Sequence, residues 1–108
     1  MEIHPPGVTG YRDSTQQVAA LQLHQKIQAC LACRLHRTRS NTVFGKGHLN
    51  ATLMIVGEAP GAQEDAHGIP FCGMSGELLS SILRELDPEF EQHVFITNTI
   101  RCRPPENR

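Results

Sequence analysis

The sequence predicts an α/β fold built around one strand–helix–strand unit. Two short apolar runs, residues 53–56 and 94–97, have the composition of buried strands. A helical pattern lies between them, with leucine or isoleucine at positions 78, 79, 82, 83 and 86. Parallel strands joined through one helix form a right-handed βαβ crossover. We therefore expect a βαβ unit at the centre of the fold.

The residues before this unit predict one further helix. Residues 1–13 contain prolines and glycines without periodicity, and we expect them to form a flexible N-terminal arm. A cap at Ser14 or Thr15 begins a helix that runs to Cys30. The predicted domain therefore covers residues 14–108.

Loops and turns connect these elements. Residues 34–50 are polar and basic, and residues 57–73 form a polar loop that contains several glycines. Ser75 is expected to cap the second helix, which Asp87 and Pro88 end. Two strands and two helices leave both edges of the sheet unpaired. The sequence therefore predicts the front half of a domain, incomplete at its C-terminus.

Composition excludes several classes of protein. Of the 108 residues 39% are hydrophobic and 19% are charged, which argues against disorder along most of the chain. No apolar run approaches the ~20 residues needed to cross a membrane. The N-terminus lacks the apolar segment of a secretory signal. We therefore expect a cytoplasmic protein that does not associate with membranes.

Charge is distributed unevenly along the chain. Residues 14–57 carry basic but no acidic side chains, and Arg101, Arg103 and Arg108 make the last residues basic again. Separate basic segments can meet in space and form a patch that binds nucleic acid. An ordinary solvated surface is the alternative interpretation.

The ends of the two predicted strands mark a candidate binding site. In open α/β sheets, ligands bind beyond the carboxyl ends of the strands, which here carry Glu58 and Asn98. The carboxamide of Asn98 offers a donor and an acceptor, complementary to the N–H and C=O groups on the edge of a pyrimidine. A simple turn residue is the alternative role for Asn98.

The loop after the first strand contains further candidates. Gly57 and Gly61 allow the backbone to approach a ligand closely, although they also suit a tight turn. Glu64 and Asp65 are placed to hold or activate a water molecule, or serve only to keep the loop soluble. Phe71 either stacks on a flat ring or fills an apolar gap.

The four cysteines divide into two kinds. Cys30 and Cys33 have the spacing of a metal-binding or redox motif. Cys102 lies between two arginines, which favour the thiolate form that binds iron–sulfur clusters. Cys72 is expected to be an apolar filler.

Several short motifs follow one another in a characteristic order. They are Cys30-x-x-Cys33, residues 43–47, residues 53–61, Glu64-Asp65, Gly68-x-Pro70-Phe71-x-Gly73, residues 96–98 and residues 102–108. Together, over residues 20–108, they resemble the family 4, iron–sulfur-containing uracil-DNA glycosylases.

The resemblance implies a three-layer α/β/α domain that binds a [4Fe–4S] cluster through four cysteines. Three of these ligands match Cys30, Cys33 and Cys102. In the family, the fourth cysteine and a His-Pro motif that contacts the uracil lie farther downstream than residue 108. The chain therefore resembles the N-terminal half of the family's fold.

The same resemblance implies roles for the candidate residues. Glu64 would position or activate the attacking water, with Glu58 and Asn98 as the other catalytic candidates, while Phe71 stacks on the flipped base. The residues that would line the uracil pocket are Gly57, Glu58, Ala59, Phe71 and Asn98.

The implied activity is hydrolysis of the N-glycosidic bond of uracil in DNA, which leaves an abasic site for base excision repair. The partner is uracil-containing DNA, and the complete protein is expected to be a monomer. Two alternatives are an inactive DNA-binding domain of the same superfamily, dependent on iron–sulfur or zinc, and a truncated remnant without function.

Overall fold

The computed structural model describes residues 5–107. Within these residues, four strands form a single sheet in the order β1-β2-β4-β3. The strands and α-helices, in chain order, are β1 (Val8–Thr9), α1 (Ser14–Gln28), β2 (Lys46–His48), β3 (Leu53–Gly57), α2 (Ala62–His67), α3 (Met74–Leu86) and β4 (Val94–Asn98). Short 3₁₀ helices occupy Arg34–Arg37, Phe90–Gln92 and Pro105–Asn107.

The predicted βαβ unit is confirmed. β3 and β4 pair in parallel, from Leu53 opposite Val94 to Gly57 opposite Asn98, and α3 lies between them in the chain. This register brings the last residues of the two strands side by side. The carboxyl ends of both strands therefore meet at one end of the sheet.

β4 is the buried centre of the fold, with helices on both of its faces. Neighbouring side chains of a strand point to opposite faces of the sheet. Phe95 packs with Ala20 of α1, whereas Val94 and Ile96 pack on the other face, where Leu83 of α3 contacts them. The two helices therefore cover opposite faces, which confirms the expected α/β/α architecture.

β3 is not the buried strand that the sequence predicts. Leu53, Met54 and Val56 remain 55%, 58% and 51% exposed, and only Ile55 contacts the apolar cluster around β4. The reason is position, because β3 is the last strand of the sheet within residues 5–107. An apolar run predicts a strand, but it does not indicate how many neighbours the strand has.

The segment expected to be a loose arm contains β1. Val8 and Thr9 pair in parallel with Gly47 and His48, and the N–H of Gly47 donates to the carbonyl of Gly7 over 2.9 Å. Val8 also packs against the apolar cluster around Phe95. Part of residues 1–13 therefore belongs to the folded core, while residues 1–4 lie outside the described part of the chain.

Lys46–His48, placed in a loop by the sequence, forms β2, which pairs antiparallel with β4. At Gly47 the backbone has φ +107, and a β-carbon there would lie 2.3 Å from the carbonyl oxygen of Val94. Gly47 therefore permits a close pairing with β4 that a residue with a side chain would prevent.

The helix ends differ slightly from the predicted caps. Asp13, not Ser14 or Thr15, caps α1, because its carboxylate accepts the N–H of Gln16 over 2.9 Å. α3 begins at Met74, so Ser75 lies inside the helix. Among the described residues, no helix has the length and apolar character needed to cross a membrane.

Candidate active site

A cavity of about 580 Å³ opens at the carboxyl ends of β3 and β4. Its walls include five of the six residues that the sequence assigns to catalysis or base binding. These are Glu58, Ala59, Glu64, Phe71 and Asn98. The sixth, Gly57, lies at the end of β3, next to Phe71 and Asn98. The structure therefore brings all six predicted site residues together.

Asn98 is the most buried polar side chain of the cavity wall, with 4% of its surface exposed. Among residues 5–107, its carboxamide makes no hydrogen bond to the protein. A buried polar group of this kind normally has a partner. The carboxamide is therefore available to bind a ligand in the cavity.

The loops that follow β3 and β4 are tied together by hydrogen bonds. The N–H of Thr99 donates to the carbonyl of Gly57, and the N–H of Ile100 donates to that of Glu58, each over 2.9 Å. The hydroxyl of Thr99 also donates to the Glu58 carbonyl over 3.0 Å. These bonds fix the backbone of Glu58 beside Asn98, while the Glu58 side chain remains exposed.

Phe71 reaches the cavity from an unusual backbone conformation. Its φ of +53 is uncommon for a residue with a side chain. The ammonium group of Lys46 lies 3.4 Å from its carbonyl oxygen. Gly76 allows close packing, because a β-carbon there would lie 2.0 Å from the same oxygen. The surrounding structure therefore constrains the Phe71 backbone from two directions.

Glu64, in the first turn of α2, accepts three backbone hydrogen bonds. Its Oε1 accepts from Gly61 over 2.9 Å, and its Oε2 accepts from Cys72 and Gly73 over 3.0 and 2.7 Å. Burial raises the pKa of this carboxyl, but the N–H donors of Gly73, Gly61, Glu64 itself and Cys72 outweigh it, so that the pKa lies below its ordinary value. The ionised carboxylate therefore connects the start of α2 to the backbone of Cys72 and Gly73.

The neighbouring thiol of Cys72 is half-buried. Burial raises the pKa of Cys72, and the negative charge of Glu64 raises it further. A thiol in this environment stays protonated and is a poor metal ligand. This observation agrees with the filler role predicted for Cys72.

The three candidate cluster ligands have different surroundings. Cys30 and Cys33 are exposed just after α1, Cys33 lines the cavity, and Cys102 is buried. Arg39 connects the two regions, because its Nη1 donates to Cys102 Sγ over 3.1 Å and its Nη2 to the Gln28 carbonyl over 2.9 Å. Iron–sulfur clusters are bound by cysteine thiolates, so these three side chains supply the right kind of donor.

The cysteines are not assembled into a metal site in the described part of the chain. Over residues 5–107, no three histidine, cysteine or acidic side chains lie close enough together to hold a metal ion. The donor chemistry therefore fits a cluster, although the described residues do not bring three such ligands together.

The cavity also includes residues that the sequence did not assign to the base-binding site. Ser75, Arg34 and Asn107 line it. Asn107 adopts φ +60, and its Oδ1 accepts a hydrogen bond from Arg103 Nε over 2.9 Å. An asparagine shortly after two prolines is typical of a tight turn, and this signal was available in the sequence.

Arg101 has a structural role that its charge does not reveal. Its Nη1 donates to the carbonyl of Phe44 over 2.7 Å, and the Thr97 hydroxyl donates to the same oxygen over 2.8 Å. Burial lowers the pKa of Arg101. The Arg101 side chain therefore holds the segment that contains Phe44 beside β4.

Comparisons with known proteins agree with this geometry. The family model of the Uracil DNA glycosylase superfamily matches residues 44–108. The type-4 uracil-DNA glycosylases of Pyrobaculum aerophilum and Thermotoga maritima are 49% and 45% identical to the chain, over 81% and 78% of its length. The type-4 enzyme of Sulfurisphaera tokodaii is 42% identical over 81% of the chain.

The chain spans less than half of the length of these relatives, namely 44%, 43% and 40% in the same order. The superfamily model nevertheless matches more than half of the chain. The chain therefore belongs to the uracil DNA glycosylase superfamily and corresponds to the N-terminal portion of its type-4 members, which confirms the resemblance found in the sequence.

Proposed function

We propose that the protein containing this chain is a uracil-DNA glycosylase, which hydrolyses the N-glycosidic bond of uracil in DNA and leaves an abasic site. Asn98 carries this proposal, because the residue is buried and its carboxamide makes no hydrogen bond to the protein among residues 5–107. It lies in a cavity whose wall also contains the aromatic ring of Phe71. A flat base with hydrogen-bonding groups on its edge matches both features.

Asn98 distinguishes uracil from cytosine through the polarity of its hydrogen bonds. Its carboxamide N–H donates to O4 of uracil, and its carbonyl accepts from N3–H. Cytosine has an amino group at position 4 and an acceptor at N3, so both contacts would be mismatched. A site that matches uracil rejects cytosine, because the buried polar groups of the site would be left without hydrogen-bond partners.

Phe71 supports the base once it has left the helix. An enzyme that acts on a base in duplex DNA must first flip it out, at a cost of a few kcal/mol. Stacking of a base on an aromatic side chain returns about 1–3 kcal/mol. Gly57 leaves room beside the ring, and Ala59 adds a small apolar wall to the same cavity.

The carboxylates of Glu58 and Glu64 are the candidates for handling the attacking water. Glu58 is exposed, lines the cavity, and makes no side-chain hydrogen bond among residues 5–107. It is therefore free to hold a water molecule beside the sugar. Three backbone donors already occupy the carboxylate of Glu64.

Cys30, Cys33 and Cys102 are proposed as three of the four ligands of a [4Fe–4S] cluster. When bound, the cluster would hold the segment after α1 against the loop after β4, which is a structural rather than a redox contribution. Exposed Arg34 and Arg37, which follow Cys33 directly, are placed to contact DNA phosphates.

The test uses the full-length protein and a duplex oligonucleotide with one U·G pair. We expect uracil to be released, so that alkali cleaves the strand at that position, while a matched C·G duplex stays intact. Phe71→Ala should slow the release because the flipped base loses its stacking partner. Binding to the duplex without release of uracil would instead indicate the inactive DNA-binding alternative.

A further inference from the structure

Glu64 connects the N-terminus of α2 to the backbone immediately after Phe71. Its two oxygens accept hydrogen bonds from residues three positions before it and eight and nine positions after it. All three bonds join a charged acceptor to a backbone N–H, and such bonds are shorter and stronger than neutral ones. The carboxylate therefore fixes the position of Cys72 and Gly73 relative to α2.

Phe71 depends on this attachment because its own backbone is strained. A φ of +53 is unfavourable for a residue with a side chain, and it persists only where the neighbouring structure enforces it. Lys46 and Gly76 constrain the carbonyl of Phe71, and Glu64 holds the two residues that follow it. The carbonyl of Gly73 accepts the N–H of Glu77 in α3 over 2.8 Å, whereas the N–H groups of Cys72 and Gly73 both donate to Glu64. The Glu64 contacts therefore join the C-terminal side of Phe71 to α2.

We propose that Glu64 is a positioning residue that acts through Phe71, because its carboxylate fixes the turn that presents the aromatic ring to the flipped base. This inference rests on the proposed glycosylase function and refines it. It assigns the carboxylate to holding the stacking ring, whereas the role predicted from the sequence was action on the attacking water.

The occupancy of the carboxylate supports the positioning role. A carboxylate offers about four lone-pair sites, and backbone N–H groups use three of those on Glu64. The lowered pKa of Glu64 also makes it a weak proton acceptor. Both properties indicate that the carboxylate of Glu64 serves as a fixed structural anion and not as a general base.

Glu64→Gln is the appropriate change because it keeps the shape of the side chain. Glutamine has one carbonyl oxygen and one amino group, so it cannot accept hydrogen bonds on both sides. Asp65→Asn is the matched control, since Asp65 is the next carboxylate of α2 and accepts from the N–H groups of Ser40 and Asn41 instead. Both variants lose charged hydrogen bonds, but only the first affects the Phe71 turn.

A double-mutant cycle with Phe71→Ala separates positioning from action on water. In the full-length protein under single-turnover conditions, we expect Glu64→Gln to slow uracil release on the order of tenfold, as expected for a lost stacking partner. In the Phe71→Ala background, the same change should have an effect of less than about twofold. Effects that multiply instead would overturn the proposal, because they would show that Glu64 acts independently of the ring.

A second measurement does not depend on catalysis. Amide hydrogen exchange in the DNA-free protein should become faster at Cys72 and Gly73 in Glu64→Gln and remain unchanged there in Asp65→Asn. Unchanged exchange in Glu64→Gln would overturn the positioning role even in an active enzyme. Faster exchange in a protein that releases no uracil would support the positioning role and reject the glycosylase function.

Discussion

The carboxamide oxygen of Asn98 lies 2.5 Å from the point where a β-carbon on Gly57 would stand. The same point is 2.7 Å from the ring of Phe71. These distances are shorter than any normal contact with a carbon atom, and they follow from the register that pairs Gly57 with Asn98. A glycine at the end of β3 therefore allows the ring and the carboxamide to approach each other.

We expect Gly57→Ala to impair uracil release by about tenfold or more. The added methyl group must displace either the Asn98 carboxamide or the Phe71 ring, and a base-recognition contact misplaced by one ångström can cost about 100-fold. Val56→Ala is the control, because it changes the preceding residue of β3, which is exposed. Single-turnover kinetics on a U·G duplex measure the effect, and equal rates for the two variants would contradict it.

Asn98→Asp is expected to reduce discrimination between uracil and cytosine. The aspartate offers an acceptor where uracil O4 requires a donor, which leaves a buried group unsatisfied at a cost of about 1–3 kcal/mol. Release of uracil should therefore fall by about tenfold or more. Parallel assays on uracil- and cytosine-containing strands measure the ratio, and an unchanged ratio would exclude the proposed contact.

The sequence predicts the parts of the fold that have a strong apolar pattern. α3 was located from the helical spacing of its apolar residues, although Leu78, Ile82 and Leu86 remain 63%, 49% and 79% exposed. β4 was located from its continuous apolar run, and all five of its residues are buried. β1 and β2 have no such pattern, since a strand such as Lys46–His48 forms through pairing with β4. The exposure of β3 was missed for a related reason, because composition does not specify the order of strands in a sheet.

The sequence could predict those residues of the candidate site whose location is determined by the end of a strand. Glu58 follows β3 and Asn98 is the last residue of the parallel strand β4, so their proximity could be expected from the topology alone. The bonds of Glu64 to Cys72 and Gly73 and of Arg39 to Cys102 could not, because they join loops of irregular path. Such contacts depend on backbone geometry that no local pattern encodes.

The contribution of Glu64 to stability should depend on pH. Burial raises its pKa, but the backbone donors lower it more, so the folded-state pKa lies below the ordinary value of 4.5. A carboxyl whose pKa is lowered by folding stabilises the protein above the unfolded-state value, and this stabilisation is lost as the pH falls through the folded-state value.

Melting temperatures of wild type and Glu64→Gln, measured from neutral pH into the acid range, test this expectation. The difference between the two proteins should stay constant down to the ordinary pKa of 4.5 and then narrow. All other titrating groups are shared by the two proteins, so their effects cancel. A difference that is independent of pH would show that ionised Glu64 does not stabilise the loop.

Arg39 is expected to support binding of the proposed cluster, because it connects two of its ligand regions. One nitrogen of its guanidinium group contacts Cys102 Sγ, and the other contacts the carbonyl of Gln28, the last residue of α1. Cys30 follows two residues later. A planar guanidinium group can donate to both acceptors at once, whereas a lysine ammonium is a compact charge that does not reproduce this fork.

We therefore expect Arg39→Lys to lower the iron and sulfide content of the purified full-length protein, even though the positive charge is retained. Changes in groups that orient metal ligands typically weaken metal binding by about 10–100-fold. Arg37→Lys is the matched control, since Arg37 is exposed two residues away. Iron and sulfide per chain, measured after dialysis against a chelator, give the comparison.

Equal retention by the two variants would show that the Arg39 fork does not hold Cys102 for the cluster. The cluster proposal itself would fail if the wild-type protein, purified without oxygen, contained no iron.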